Sequence, residues 1–312
     1  MTISITRAAR SLAVLATAAI ALAGCGIGAG AEQEGGGVDQ VVTRDFGQQR
    51  LDQRSLGSVR ESDTVMRLLQ GGNRVKTRYG GGFVQSIDGV AASGGRAWLY
   101  FVNGVVGGEA ADDYELSGGD VVQWDYHSTK VRQDIPAIVG AFPEPFVRGL
   151  EGRKLPVRVE CEDATGGPCE RVKKILRDAG APATGSALGT QGTQNVARVV
   201  VARWATARNL PTVRALEQGP RRSAVFARFS RSGELSLLDD SGRTVTNAGR
   251  DAGLVAALRP RDDQLAWVVT GGSQAGLERA VDAFRRTDLR DAFAVAAPAR
   301  GAPVKLPVEA AR

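Results

Sequence analysis

Trp98-Leu99-Tyr100-Phe101-Val102-Asn103-Gly104 decides how the first half of this chain folds. Aromatic and β-branched residues dominate Ala97 to Val102, which suits a pleated, half-buried strand. Asn-Gly behind such a run signals a tight hairpin, because both central positions of a type I′ turn need positive φ. Outward from there, Val121-Val122-Gln123-Trp124-Asp125-Tyr126 repeats the strand signature after the turn Gly118-Gly119-Asp120. Upstream, Phe83-Val84-Gln85-Ser86-Ile87-Asp88-Gly89-Val90 alternates loosely behind the glycines Gly80 to Gly82. Val41 to Gly47 reads as a strand running into a turn. Ser62 reads as the cap of a short helix with Val65, Leu68 and Leu69 at helical spacing, ended by Gly71-Gly72-Asn73. About five strands and one helix in some 90 residues predict a small, grasp-like α+β sheet domain over 38–128.

These segments resemble a known family. Gly82 through Val90, Trp98 through Gly104, Tyr114 through Gly119-Asp120, and Trp124 are similar to the transcobalamin-like C-terminal domain. That is the β-domain of the animal cobalamin carriers transcobalamin and intrinsic factor, found also in many bacterial surface proteins. The resemblance covers residues 39–128 and is silent on 155–312. It implies that the segments matching Gly82–Val90 and Trp98–Asn103 face a ligand. Phe83, Ser86, Trp98 and Tyr100 are then the candidate binding residues, and a corrinoid, cobalamin, is the implied ligand. The carriers also cover the corrinoid with a large helical barrel of which this sequence has no trace, so the fold carries over further than the ligand. The same rings, with Ile87, Phe101 and Trp124, are also what a small sheet needs to fill one core, and both readings stand here. His127, the only histidine, reads as a surface residue just past a strand end, with cobalt ligation the rarer alternative.

The second half alternates buried strands with helices. Leu155–Glu160, Val196–Ala202, Ser223–Phe229, Leu235–Leu238, Leu265–Thr270 and Phe293–Ala296 read as strands, and Glu170–Ala179 and Gln274–Phe284 as helices. A mixed α/β domain over 155–300 is expected, joined through a linker at 129–154 and followed by a tail at 301–312. The step Gly271-Gly272-Ser273 into a helix is either an anion site at a helix N-terminus or a tight turn. It lacks a dinucleotide fingerprint and the Lys-Ser/Thr of a P-loop. This half has no histidine, and no nucleophile, base or metal set stands out, so no catalytic residue, metal or cofactor is expected.

The N-terminus bears on compartment. Leu12 to Ala23 is an apolar run behind Arg7 and Arg10, of signal-peptide length and too short to span a bilayer. Leu22-Ala23-Gly24-Cys25 resembles the lipobox of bacterial lipoproteins, which implies lipid on Cys25, cleavage after residue 24, a tether at 25–37 and an anchor in the cell membrane. An ordinary secretory signal with Cys25 incidental is the alternative. Cys161 and Cys169 remain as an even pair in an oxidising compartment, and a disulfide fits them better than a metal site does. Residues 26–154 carry 14 basic and 17 acidic side chains, and residues 155–312 carry 24 and 17, so the net charge changes from −3 to +7. The excess is spread along the second half, a solvated surface with a leaning toward anionic envelope polymers and not nucleic acid. The expected function is a surface-anchored binding lipoprotein that is not an enzyme, feeding a small ligand to an envelope transporter. The alternative is a non-catalytic structural or interaction lipoprotein of the cell envelope.

Overall fold

The structure, a computed structural model, describes residues 36–309. The expected leader and Cys25 lie outside the described residues, as does most of the tether. The first unit opens with the hairpin β1 (Val38–Arg44) and β2 (Gln49–Leu56), followed by α1 (Val65–Gln70). A small sheet comes next, β3 (Val75–Arg78), β4 (Phe83–Ile87) and β5 (Val90–Ala91). The unit closes with β6 (Arg96–Val102), β7 (Val105–Val106) and β8 (Val121–Ser128). The main sheet runs β2-β1-β8-β6-β7, with a parallel pair β1/β8 at its centre and antiparallel pairs outside.

Period-2 alternation divides this sheet into two buried faces. Trp98, Tyr100 and Val102 of β6 join Val122, Trp124 and Tyr126 of β8 and the apolar side of α1 in one core. Phe101 lies between them in sequence and belongs to a different core. Helix α1 is capped by Thr64, whose hydroxyl accepts from the Arg67 N–H, two residues later than the expected Ser62. The run 83–90 is two strands, not one. Asp88 and Gly89, at φ 48° and 88°, fold it back as a hairpin, the Asp-Gly chemistry outweighing the alternation.

The second unit contains β9 (Val157–Cys161), α2 (Gly167–Asp178), β10 (Ala183–Ala187) and β11 (Val196–Arg203). Three one-turn helices follow, α3 (Trp204–Ala207), α4 (Pro211–Arg214) and α5 (Pro220–Ser223). A meander of β12 (Ala227–Phe229), β13 (Leu235–Leu238) and β14 (Thr244–Gly249) leads to the long hairpin β15 (Gly253–Arg261) and β16 (Gln264–Gly271). Then come α6 (Gln274–Ala283), α7 (Arg286–Leu289), β17 (Ala294–Ala297) and β18 (Val304–Leu306). The large sheet runs β10-β9-β11-β16-β15-β17-β18, parallel on one side and antiparallel on the other. One face buries α2 and α6 through Val172, Leu176, Leu277 and Val281; the other buries Trp204, Phe229 and the meander. Overall this is a mixed α+β protein with more strand than helix and several sheets.

Cys161 and Cys169 are disulfide-bonded, tying the end of β9 to the first turn of α2. In the chain-entropy picture a loop this short gains about 2.5 kcal/mol. At the end of β16, a Cβ on Gly271 would lie 2.2 Å from the Gly276 carbonyl carbon, so α6 packs on bare backbone. The Ser273 hydroxyl accepts from the Gly276 N–H and donates to Asp251. The Gly-Gly-Ser step is therefore a capped tight turn, and its glycines serve close packing.

Residues 129–154 do not hang free as a linker. Ile135-Pro136-Ala137-Ile138-Val139-Gly140-Ala141-Phe142 is too apolar to stay in water. Ile135 and Ile138 pack in the core that holds Phe46 and Phe101; Val139, Phe142 and Phe146 pack in the core of Trp267 and Phe284. The tail is also structured. Strand β18 pairs with β17, the Lys305 ammonium donates to the Gly47 carbonyl, and the Gln48 amide donates to that of Pro307.

Candidate functional site

Beside β6, between β4 and β7, lies a groove of about 470 Å³. Sequence and topology make it. Strand β7 is only two residues long and pairs with Phe101 and Val102, so Ala97 to Leu99, between the Ser93–Arg96 bridge and the Gly107 N–H that donates to the Tyr100 carbonyl, have no ladder partner other than β8. Gly82 and Phe83 at the start of β4 form the opposite wall, and Val106, Gly107 and Trp124 contribute as well. A Cβ on Gly107 would fall 1.9 Å from the Tyr100 ring, so glycine is required for this loop to lie flat against it.

Three of the four candidate residues, Phe83, Trp98 and Tyr100, line this groove together, and Ser86 does not. Phe83 is 41% exposed and meets Tyr79, which is 86% exposed, edge-on at 6.1 Å between ring centres. Trp98 and Tyr100 are buried, 4% and 8% exposed. The Trp98 indole N–H donates to the Val90 carbonyl at 2.8 Å, and the Tyr100 hydroxyl donates to the Glu109 carbonyl at 2.7 Å. Burial raises the Tyr100 pKa, helped by the Glu109, Asp113 and Asp112 carboxylates, so the phenol stays protonated. Ser86 is buried within β4 between Lys76 of β3 and Ala91 of β5. The site is therefore one exposed ring over a floor of two locked ones.

A second polar set lies on the opposite face of the main sheet. Asp125 is fully buried and accepts from the Thr43 hydroxyl at 2.6 Å, the Phe46 N–H at 3.0 Å and the Gly47 N–H at 2.8 Å. His127 Nδ1 lies 2.8 Å from the same carboxylate. The His127 ring packs against Phe46 and Phe293, and its Nε2 has no hydrogen-bond partner. His127 is thus inside β8 and not at the surface. Its burial comes from Phe293, which local pattern does not announce. Asp125 pins the turn where Asp45 and Phe46 take φ of 58° and 60°, a structural duty. Among the described residues, no three His, Cys, Asp or Glu side chains are placed to hold a metal ion. None of the described helices is long and apolar enough to cross a membrane.

A family profile described as "Domain of unknown function (DUF4430)" matches residues 62–128, from just before α1 to the end of β8. No curated protein matches. Among solved structures, one described as a "putative metal binding protein from Ruminococcus gnavus ATCC 29149" is similar at 16% identity, with a TM-score of 0.23, covering 29% of this chain and 95% of that one. The family match falls on the unit that carries the groove.

Proposed function

We propose that this protein is a non-enzymatic binding lipoprotein of the cell envelope, anchored through Cys25, whose first unit holds a flat, amphipathic small molecule in the Phe83/Trp98/Tyr100 groove. The transcobalamin-like resemblance makes a corrinoid the first ligand to test, with delivery to an envelope transporter as the role. One observation carries the reading: residues drawn from two separate segments, Phe83 and Trp98/Tyr100, line a single concave surface. Its volume suits a small-molecule site, which commonly spans about 300–1,000 Å³.

The test is gel filtration of the detergent-solubilised full chain with cobalamin, following the corrinoid's visible absorbance. Phe83→Ala should weaken binding about five- to 150-fold, the loss of an anchor ring of about 1–3 kcal/mol, without moving the Tm. Tyr100→Ala should lower the Tm, because it empties a buried ring site. Absence of co-elution at millimolar cobalamin would overturn the corrinoid reading.

One observation favours the interaction-protein alternative. Tyr79 and Phe83 form an exposed aromatic pair while the deeper rings are saturated by backbone carbonyls, as in a surface that meets another protein. Cobalamin binding that survives unchanged in Phe83→Ala would favour this alternative for the patch.

A further inference from the structure

Five arginines from three separate stretches of the sequence, Arg132, then Arg214, Arg221 and Arg222, then Arg259, line one open cup of about 550 Å³ beside α4 and α5. No carboxylate shares the lining. Arginines of a folded surface are ordinarily interleaved with acids, and five lining one cup with acids only outside it leave a net positive field there.

The cations are held by carbonyls. Arg132 donates to the Asp134 and Arg221 carbonyls at 2.7 and 3.1 Å. Arg214 donates to the Arg208 carbonyl at 3.0 Å, and Arg259 donates twice to the Asp262 carbonyl at 2.8 and 3.2 Å. A carbonyl oxygen fixes the guanidinium plane but leaves its full charge in place. The nearest acids do little to neutralise it. Asp134 and Asp262 stand 3.7 and 3.6 Å from Arg132 and Arg259, with side chains 62% and 101% exposed. Glu217 is taken by Arg208. The Arg259 side chain is only 12% exposed, sunk in the wall with its acid outside. Arg221 and Arg222 are exposed, and no side-chain hydrogen bond or ion pair holds them among the described residues.

We propose that this cup is a binding site for a multiply charged phosphate group, independent of the groove on the first unit. Guanidinium forks match phosphate oxygens two at a time, and the carbonyl props pre-set three of the five forks before any ligand arrives. The two free arginines, side by side on α5, close over the anion. Binding also relieves repulsion among the five cations, so the phosphate ligand stabilises the fold.

The probe is sodium tripolyphosphate, titrated calorimetrically into the detergent-solubilised full chain at low salt, with citrate as the carboxylate counterpart. Tripolyphosphate should bind at one site per chain, raise the Tm and weaken steeply with added salt. The double variant Arg221→Ala/Arg222→Ala, both exposed, should keep its fold and bind at least about tenfold more weakly. The control Arg177→Ala/Arg231→Ala removes the same charge elsewhere and should bind as the parent does. A parallel titration with monomeric dihexanoyl phosphatidic acid, whose phosphomonoester carries nearly two charges at neutral pH, tells a lipid headgroup from a free phosphate as the source, and binding of either that is lost in the double variant supports the site. No binding of either probe, equal weakening in the control, or citrate binding as tightly as tripolyphosphate would overturn the assignment.

Discussion

Glu160 and Arg198 sit side by side on β9 and β11, almost without solvent exposure. Arg198 donates to both carboxylate oxygens at 2.7 and 2.8 Å. Such a pair contributes little net stability against an apolar pair, yet breaking it strands a buried charge at about 3–5 kcal/mol. Glu160→Ala should lower the unfolding free energy from urea titration by that amount and shift the midpoint down with it. Glu160→Leu/Arg198→Leu should recover part of it, because Arg158, whose Nε lies 3.7 Å from Glu160, still loses its acid. An unchanged midpoint in the single variant would show that water reaches Arg198. Arg198 interrupts an otherwise apolar strand, and its sequence offers no hint that a glutamate nearly forty positions away matches it. Phe101, expected in one core with Trp98 and Trp124, lies on the other face of β6, because alternation puts Trp98 and Tyr100 on one side and Leu99 and Phe101 on the other. Which set meets α1 and which the second unit depends on partners remote in sequence, so the candidate site was legible as a list of residues and not as exposures. Ser86 fell out because it sits inside the small sheet, a strand pairing invisible from the run itself.

Elements with turn chemistry were the most readable. Asn103 and Gly104 take φ of 52° and 78°, as the hairpin signal requires. The buried network behind the turn was not legible: the Asn103 amide donates to Asp120 and to the Gly149 carbonyl, and its oxygen accepts from the Val121 N–H. Asp120 and Glu144 both have raised pKa values, burial being the leading cause in each, even though each also accepts a backbone N–H. The folded state therefore holds these protons more tightly than the unfolded chain. Their contribution is full below the ordinary carboxylate range and falls as pH climbs through the raised values. Glu144→Gln should flatten the decline of Tm with pH above the ordinary carboxylate range, with its largest relative gain at neutral pH. Parallel melting curves for parent and variant across that interval would contradict it. Strands β2, β10 and β14 went unread because their local runs are polar or made of small residues and only the neighbouring strands make them sheet, whereas β15 went unread although Leu254 to Leu258 is a continuous apolar run.

At the scale of the molecule, the change of charge near residue 150 suggested two independent halves, whereas Phe46 and Phe101 lie in one core with Phe226 and Phe293. Gln123 reaches across to the Asp291 carbonyl, and Arg50 to its carboxylate. The expected outcome is a single cooperative transition for the whole chain, and no cooperative melt for a fragment spanning 39–128. Calorimetry on both settles the matter: two resolved peaks, or a folded fragment, would restore the independent-half picture. Charge sign could not reveal this, because it reports the outside of each half while the join is apolar.

The last strand has a kinetic consequence. Lys305 and Pro307 clasp Gly47 and Gln48, so the first turn of the protein is finished by residues made some 260 positions later. Contacts of such high order form late and slow folding. During synthesis, the turn at Gly47 and Gln48 stays without this clasp until Lys305 and Pro307 have left the ribosome, although β1 already has β2 and β8 to pair with.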